Sequence, residues 1–289
     1  MIRILCKWMV FSAVLLAPAE SLAQVACTRD GLQVATNLYI NAQTKGDPSG
    51  MPLATGLAYI ENMQVVDIKS GVIQKPLKMD FHRSLIDSST CQTFTEVIVT
   101  DKGHPYVLGT RLRVNHDKIV EIESMVTQPG DWLFSADNYF KWSPGEDWGV
   151  IPPEQRDSRD TLVAAANAYL DAFLEKKLDL VPWGYPCNRT EGGIRTGKGV
   201  PEDSCDVGVP AGVNIVARRF LVDETTGAVV AFCNFGVGGL PDSHLFRVEK
   251  GKLRYVHTLT HVPPGYQVRV NGRPVPSSAP NNPPPDKQQ

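Results

Sequence analysis

The chain has 289 residues, with 29 lysines and arginines against 31 aspartates and glutamates and a formal net charge of −2. This balance excludes binding to nucleic acid through bulk positive charge. No segment approaches the roughly 18 consecutive apolar residues of a membrane-spanning helix. We therefore expect neither a nucleic-acid nor a membrane partner, while the oligomeric state stays open.

Residues 1–23 have the layout of a secretory signal peptide. Arg3 and Lys7 precede an apolar run (8–17), and a small-residue boundary (21–23) follows. We therefore expect a secreted protein, either extracellular or periplasmic.

Five cysteines follow the predicted signal peptide, and cysteines of secreted proteins usually form disulfides. We expect one bridge in each half, Cys27 with Cys91 and Cys187 with Cys205. Cys233 then remains as a buried thiol in an apolar strand. Zinc binding is the other interpretation of the cysteines, but the chain contains no CxxC pair. We expect neither a metal ion nor a cofactor.

Two parts of the chain resemble each other. Residues 30–62 align without a gap to residues 160–192, and eight positions are identical, among them Tyr39/Tyr169 and Glu61/Glu191. A second block aligns residues 113–122 with residues 247–256 at an offset of 134. Two such blocks in the same order indicate a duplicated domain.

Each copy begins with an amphipathic helix, because apolar residues recur at helical spacing after residue 31 and again after residue 161. Strand-like segments joined by short turns follow in both copies. The segments are 93–100, 107–114, 119–127, 218–222, 228–235, 244–248 and 253–260, with hairpin turns at 116–117 and 250–251. A helix followed by a curved antiparallel sheet predicts an α+β domain in which the helix covers one face of the sheet.

The domain boundaries follow from the repeat and from composition. The expected ranges are a first domain at 24–130, a joint rich in Trp and Pro at 131–156, a second domain at 157–262 and a disordered Pro-rich tail at 263–289. We expect Trp132, Trp142 and Trp148 of the joint to pack between the two domains.

Each half resembles the cone-shaped fold shared by nuclear transport factor 2, ketosteroid isomerase, scytalone dehydratase and SnoaL-type cyclases. The resemblance rests on the opening helix, on MPLATGLAYIENM, and on the terminal hairpins RVNHDKIVEIESM and RVEKGKLRYVHTL. It implies two tandem cone-shaped domains, each with N-terminal helices packed on a curved antiparallel sheet. It also implies an apolar cavity with a few titratable groups in each domain.

The whole mature chain also resembles secreted fungal and bacterial proteins that share a domain of unknown function (DUF8021-like). This second resemblance rests on VPWGYPCNRTEGG, KMDFHRSLID and GLPDSHLFRVEKGKLRYVHT. It implies no particular activity.

His257 is the first candidate for proton transfer. Alternate residues of a strand share a face, so Leu253, Tyr255, His257 and Leu259 should point together, with His257 in the position of Glu123 in the other half. A histidine or carboxylate that is sheltered from water can act as a general acid or base. The alternative is a structural histidine held by hydrogen bonds near the rim of the sheet.

Glu191 is the second candidate, and Arg189 lies beside it in CNRTEGG. A buried glutamate is costly unless it is paired, so Arg189 is its natural partner, for catalysis or for purely structural pairing. Asp242 is expected to orient His244 or His257. Asp242, Ser243 and His244 cannot form a serine-histidine-aspartate relay, because consecutive strand residues point apart.

The remaining candidates surround these groups. Arg247 should lie on the face opposite His244, and His82 and Arg83 should line the pocket of the first domain or cap its helix. The sequon that begins at Asn188 is a glycosylation site only in a eukaryotic producer.

The expected function follows from these groups and from the cone-fold resemblance. We expect a secreted, cofactor-independent enzyme, a lyase, dehydratase, isomerase or hydrolase, that acts by acid/base chemistry on a small, largely apolar or aromatic molecule. The expected catalytic residues are His257, Glu191, His244 and Asp242, and the expected substrate-binding residues are Arg189, Tyr255, Arg247, His82 and Arg83. The alternatives are a secreted binding protein without turnover and an interaction protein that uses the Trp-rich joint.

Overall fold

The structure, a computed structural model, describes residues 24–197, 200–206, 208–270, 273–274 and 277. The predicted signal peptide lies outside the described residues, and so does more than half of the predicted tail. Within the described part, no helix is both long and apolar enough to cross a membrane.

The two halves contain the same elements in the same order. The first half comprises α1 (Arg29–Lys45), β1 (Leu53–Glu61), β2 (Gln64–Val65), β3 (Phe81–Asp87), β4 (Gln92–Val99), β5 (Tyr106–Asn115) and β6 (Lys118–Thr127). A short helix, α2 (Ala136–Trp142), lies in the joint. The second half comprises α3 (Arg159–Glu175), β7 (Trp183–Glu191), β8 (Ile194–Thr196), β9 (Ile215–Asp223), β10 (Ala228–Phe235), β11 (Leu240–Glu249) and β12 (Lys252–Thr260). A hairpin of β13 (Arg269–Val270) and β14 (Arg273–Pro274) follows in the tail.

The two long helices begin and end at equivalent positions. The Thr28 side chain accepts a hydrogen bond from the first turn of α1, and the Ser158 side chain does the same for α3. Left-handed residues, Gly46 and Lys176, end the two helices. The predicted helices are confirmed.

Two six-stranded sheets have the same strand order, β2-β1-β6-β5-β4-β3 and β8-β7-β12-β11-β10-β9. The mixed α+β class is therefore confirmed, with two similar sheets. The prediction of fully antiparallel sheets is wrong for one pair in each, because β1 runs parallel to β6 and β7 runs parallel to β12. Gly56 in β1 and Pro186 in β7 interrupt the alternating pattern that identifies a strand.

Each sheet has a helix face and a contact face. The helix face of the first sheet packs against α1, and that of the second sheet packs against α3. Each helix and its sheet enclose a separate hydrophobic core. The contact faces of the two sheets pack on each other through a third core, which includes Phe94, Met125, Phe232 and Leu259. The two helices thus cover the outside and the two sheets meet in the centre.

Reciprocal ion pairs join the two halves. Arg159 at the start of α3 donates to Asp87 of the first half at 3.0 and 2.9 Å. Arg29 at the start of α1 donates to Asp223 of the second half at 2.9 and 3.1 Å. Each aspartate also accepts a backbone N–H from the other half. Equivalent residues of the two halves therefore exchange partners.

A β-bulge in the last strand changes which residues share a face. In the register of β11 with β12, Val248 pairs with Leu253 but Arg247 pairs with Tyr255, so Arg254 is an extra residue. Leu253 lies in the core of the helix face, whereas Tyr255 and the residues that alternate with it lie on the contact face. The prediction that Leu253 shares a face with Tyr255 and His257 is therefore wrong.

Both predicted disulfides are present, Cys27–Cys91 and Cys187–Cys205. They fit the oxidising compartment that a signal peptide implies. Cys233 is the free cysteine of the described residues and is buried, as expected.

Candidate functional site

The predicted site residues form two groups on opposite faces of the second sheet. We call the group between the sheets the interface cluster: Arg83, Glu96, Tyr139, Glu146 and His257. We call the group under α3 the inner cluster: Tyr169, Arg189, Glu191, Cys233, Asp242 and His244. The structure therefore separates His257 from Glu191 and His244.

In the interface cluster, His257 is held by two carboxylates. Its Nδ1 lies 2.9 Å from Glu96 Oε1 and its Nε2 lies 2.7 Å from Glu146 Oε2. Tyr139 donates to Glu96 at 2.9 Å, and Arg83 donates to the other Glu96 oxygen at 3.1 Å. All five side chains are at least nine-tenths buried.

Charge pairing controls protonation in this cluster. Burial alone would lower the pKa of His257, but Glu146 and Glu96 outweigh it and raise the pKa to about 9. Burial alone would raise the pKa of both glutamates, but His257 and its neighbours hold each pKa below its ordinary value. At neutral pH His257 is therefore an imidazolium whose two N–H groups are both used. This arrangement favours the structural alternative for His257 over proton transfer.

The other predicted residues near the interface cluster make contacts that hold the joint and the two halves together. Trp148 of the joint stacks on Tyr255 and lies 4.5 Å from the Arg83 guanidinium, so it contacts both halves. Arg247 lies on this face, opposite His244 as predicted, and donates to the backbone carbonyl of Gly149 at 2.9 Å. His82 is exposed and lies in neither cluster.

In the inner cluster, Arg189 and Glu191 project from β7 beneath α3. Arg189 donates to the Tyr169 hydroxyl at 3.4 Å, and its Nη2 lies 3.4 Å from Glu191 Oε2. Glu191 also accepts a hydrogen bond from the Trp132 indole at 2.7 Å. The Arg189 side chain is 3% exposed and that of Glu191 is 23% exposed. Glu191 therefore connects the interior of the second half with solvent.

Asp242 and His244 continue the inner cluster on β11. Asp242 Oδ1 lies 3.1 Å from His244 Nδ1, but the two atoms are not aligned for a hydrogen bond. Asp242 Oδ1 is consequently buried with no hydrogen-bond partner among the described residues. Thr260 donates to the other oxygen at 3.1 Å. The sequence left open whether Asp242 lies beside His244 or beside His257. The structure places it beside His244.

Aromatic rings enclose His244. Its ring lies parallel to that of Phe246 at 5.8 Å and close to Tyr169 at 5.7 Å. Burial raises the pKa of Tyr169 to about 12 even though Arg189 lowers it. Burial opposes the charge on Arg189, but Tyr169 and Glu191 outweigh that effect and raise its pKa. The inner cluster is therefore a charged group of side chains surrounded by aromatic rings.

Equivalent positions of the first half carry mostly different side chains. Strand register places Tyr59, Leu108 and Thr110 where the second half has Arg189, Asp242 and His244. Tyr39, the counterpart of Tyr169, donates to Thr110 at 2.7 Å, and Thr110 shares a hydrogen bond with the Ser124 hydroxyl. At these positions the first half thus has neutral side chains, and Tyr39, Thr110 and Ser124 are joined by hydroxyl hydrogen bonds.

Sequence reasoning missed Glu96, Tyr139 and Glu146. No pattern links them to His257, because Glu96 and Glu146 are 161 and 111 residues away from it along the chain. Tyr169 was detectable, since it is identical to Tyr39 in the repeat. The sequon asparagine, Asn188, is buried within β7, which makes it a poor acceptor for a glycan.

A family model described as a domain of unknown function (DUF8021) matches residues 155–260. No curated protein matches the chain. The matched residues include α3 and β7 to β12, and therefore the whole inner cluster. The second half is thus similar to this domain, whose description carries no activity.

Proposed function

We propose that the second half is a small-molecule enzyme whose active site is the inner cluster. The substrate is a small, largely apolar or aromatic molecule with one anionic or carbonyl oxygen. Aromatic side chains around His244 would pack against its apolar body, and Arg189 would bind its oxygen and stabilise negative charge that develops there. The cone-shaped fold of the resemblance belongs to this proposal, because it provides a ligand cavity between helix and sheet.

Glu191 is the proposed proton-transfer group. It is partly exposed, it is oriented by Trp132, and Arg189 lies at its other oxygen. The Asp242–His244 pair supplies a second acid/base group deeper in the site. A reaction that moves a proton next to a carbonyl, such as dehydration, isomerisation or lyase cleavage, fits this equipment, and hydrolysis fits it as well.

One observation carries the proposal. A buried charge is costly, and the first half has the same strand order with Tyr59, Leu108 and Thr110 at the equivalent positions. The second half nevertheless holds Arg189, Asp242 and His244 there, and among the described residues one buried carboxylate oxygen has no hydrogen-bond partner. Departures of this kind from the most stable choice are typical of functional sites.

The chain offers a matched pair of variants to test the proposal. Glu191 and Glu61 are the same residue at equivalent positions of the two halves. A panel of benzoates, phenols and cyclic ketones is incubated with the full chain, with Glu191→Gln and with Glu61→Gln. Binding is followed by ligand-observed NMR and turnover by mass spectrometry.

We expect at least one compound to be bound and converted by the unmodified chain, with turnover lost in Glu191→Gln and retained in Glu61→Gln. Binding without turnover by the unmodified chain would support the alternative of a secreted binding protein. Equal losses in both variants would contradict an active site in the second half.

A further inference from the structure

Three donor atoms of different chemistry converge within the inner cluster. Cys233 Sγ, one Asp242 carboxylate oxygen and a His244 ring nitrogen all lie within 4.8 Å of one another, and all three residues are buried. The strand register explains the arrangement, because Cys233 on β10 pairs directly with Asp242 on β11. His244 follows two residues later on the same face of β11.

A metal site and a proton relay differ in which nitrogen of the histidine ring the thiol and the carboxylate approach. In a cysteine-histidine-aspartate relay, the thiol and the carboxylate contact opposite nitrogens of the imidazole ring. Here both approach the same nitrogen, since His244 Nδ1 lies 3.9 Å from Cys233 Sγ and 3.1 Å from Asp242 Oδ1. Three donor atoms therefore lie around one shared volume.

The spacing suits a tetrahedral ion. With zinc bonds of about 2.3 Å to sulfur and about 2.0–2.1 Å to nitrogen and oxygen, tetrahedral ligand atoms lie about 3.3–3.6 Å apart. The two distances at Nδ1 differ from that range by a few tenths of an ångström, and the sulfur lies within 4.8 Å of the carboxylate oxygen, so this third pair would have to close around an ion. Three protein ligands leave a fourth position for water or substrate, as in catalytic zinc sites.

Charge and hydrogen bonding agree with this geometry. A thiolate and a carboxylate carry two negative charges, which one divalent ion would neutralise in an interior where an unbalanced charge is costly. Asp242 Oδ1, the oxygen nearest the histidine, is the buried atom that has no hydrogen-bond partner among the described residues. Thr260 holds the other oxygen, as an outer-shell group does for a ligating carboxylate.

The first half serves as an internal reference. The register places Val97, Leu108 and Thr110 at the positions of Cys233, Asp242 and His244. None of the three provides a thiolate, carboxylate or imidazole. The donor set therefore belongs to the second half and is not required by the fold.

From these observations we propose that Cys233, Asp242 and His244 bind one divalent transition-metal ion, with Zn²⁺ as the best fit to a mixed sulfur, nitrogen and oxygen set. This inference departs from the metal-free protein expected from the sequence and goes beyond the proposed function. A bound ion would make His244 a ligand and would leave proton transfer to Glu191.

Cobalt(II) and zinc titrations of the full chain, freed of metal with a chelator, test the proposal. We expect binding of one cobalt ion per chain, with the charge-transfer absorption that a cobalt–thiolate bond produces, and competition by zinc. Cys233→Val copies Val97 of the first half and should abolish that absorption and weaken zinc binding at least about tenfold. Thr110→Ser, at the first-half position of His244, should leave both unchanged.

Asp242→Asn provides a second measurement if Cys233→Val folds poorly, and it should weaken zinc binding by a similar factor. Failure of the unmodified chain to bind cobalt, or a cobalt complex without the thiolate absorption, would overturn the proposal and leave Asp242 and His244 as buried neighbours without a metal. Because the readout is metal binding, it stands apart from the turnover test of Glu191.

Discussion

The helix faces of the two halves share strand order, register and a central tyrosine, and they differ in what surrounds that tyrosine. Tyr39 lies in a network of neutral hydroxyl groups, whereas Tyr169 lies among Arg189, Asp242 and His244. The same strand order thus accommodates a neutral set in one half and a charged set in the other. On the function proposed above, the charged set serves binding and chemistry and is not needed to hold the fold together.

On the contact faces, in contrast to the helix faces, both halves carry buried charged side chains at equivalent positions. His257 and Glu123 occupy equivalent positions, and both are buried in ion networks that join the two halves. Glu123 accepts hydrogen bonds from Arg111 and from Arg219 of the second half. Charge on the contact faces therefore joins the two halves, whereas the charged groups on the helix face of the second half lie within one half.

Removal of His257 should have the largest effect on stability. His257→Ala leaves Glu96 and Glu146 buried with Arg83 but without the imidazolium that lies between them, so we expect a loss of about 3–5 kcal/mol in the free energy of unfolding. Urea denaturation measures it. Unchanged stability, combined with lost turnover, would return His257 to the catalytic role that the sequence suggested.

The pH dependence of unfolding sharpens the same contrast. The folded-state pKa of His257 is raised from 6.5 to about 9. Its stabilisation is therefore complete below about pH 6.5 and is lost as the pH rises through about 9, by on the order of 3 kcal/mol. The lowered pKa of Glu96 and Glu146 adds stability that is lost as the pH falls through their folded values.

Urea denaturation at several pH values should therefore give a maximum between these two regions. In His257→Gln the decline on the alkaline side should disappear. An alkaline decline of the same size in that variant would show that another group causes it.

The reciprocal ion pairs should respond equally. Asp87→Asn and Asp223→Asn each weaken one bidentate arginine pair, so we expect losses of about 1.5–3 kcal/mol that agree with each other within about 1 kcal/mol. Thermal and urea unfolding of the two variants measure this. A large loss in one variant with none in the other would show that the two reciprocal ion pairs are not equivalent.

The two disulfides should differ slightly. Cys27–Cys91 spans 64 residues and Cys187–Cys205 spans 18. In the chain-entropy model, the longer loop gains about 1 kcal/mol more from its bridge. Double alanine variants of each pair, compared by urea unfolding, should show that order; an equal or reversed order would mean that local packing outweighs loop length.

Local patterns predicted much of the fold. Helical spacing located α1 and α3, the aligned identical residues indicated two similar halves, and the expectation of one bridge in each half gave the two disulfides. The strands β1, β3 and β7 were not predicted; in β1 and β7, Gly56 and Pro186 interrupt the alternation. The bulge at Arg254 was also missed, since one inserted residue in a ladder leaves no mark in the pattern of side chains.

The site was predicted only in part for a related reason. Arg189 with Glu191 and Asp242 with His244 are close in sequence, so their pairing was foreseeable. The partners of His257 come from distant parts of the chain, and only the packing of the two sheets brings them together. The bulge then decides that His257 faces those partners and not the inner cluster.

The most direct test replaces two residues of the inner cluster by the residues at the equivalent positions of the first half. Asp242→Leu combined with His244→Thr copies Leu108 and Thr110 of the first half and nearly conserves side-chain volume. If the pair serves binding and chemistry, its replacement should not destabilise the fold. We therefore predict a free energy of unfolding that is higher than that of the unmodified chain or within about 1 kcal/mol of it. Metal binding and turnover should both be lost. A loss of more than about 3 kcal/mol would contradict the account and make the inner cluster part of the structural core.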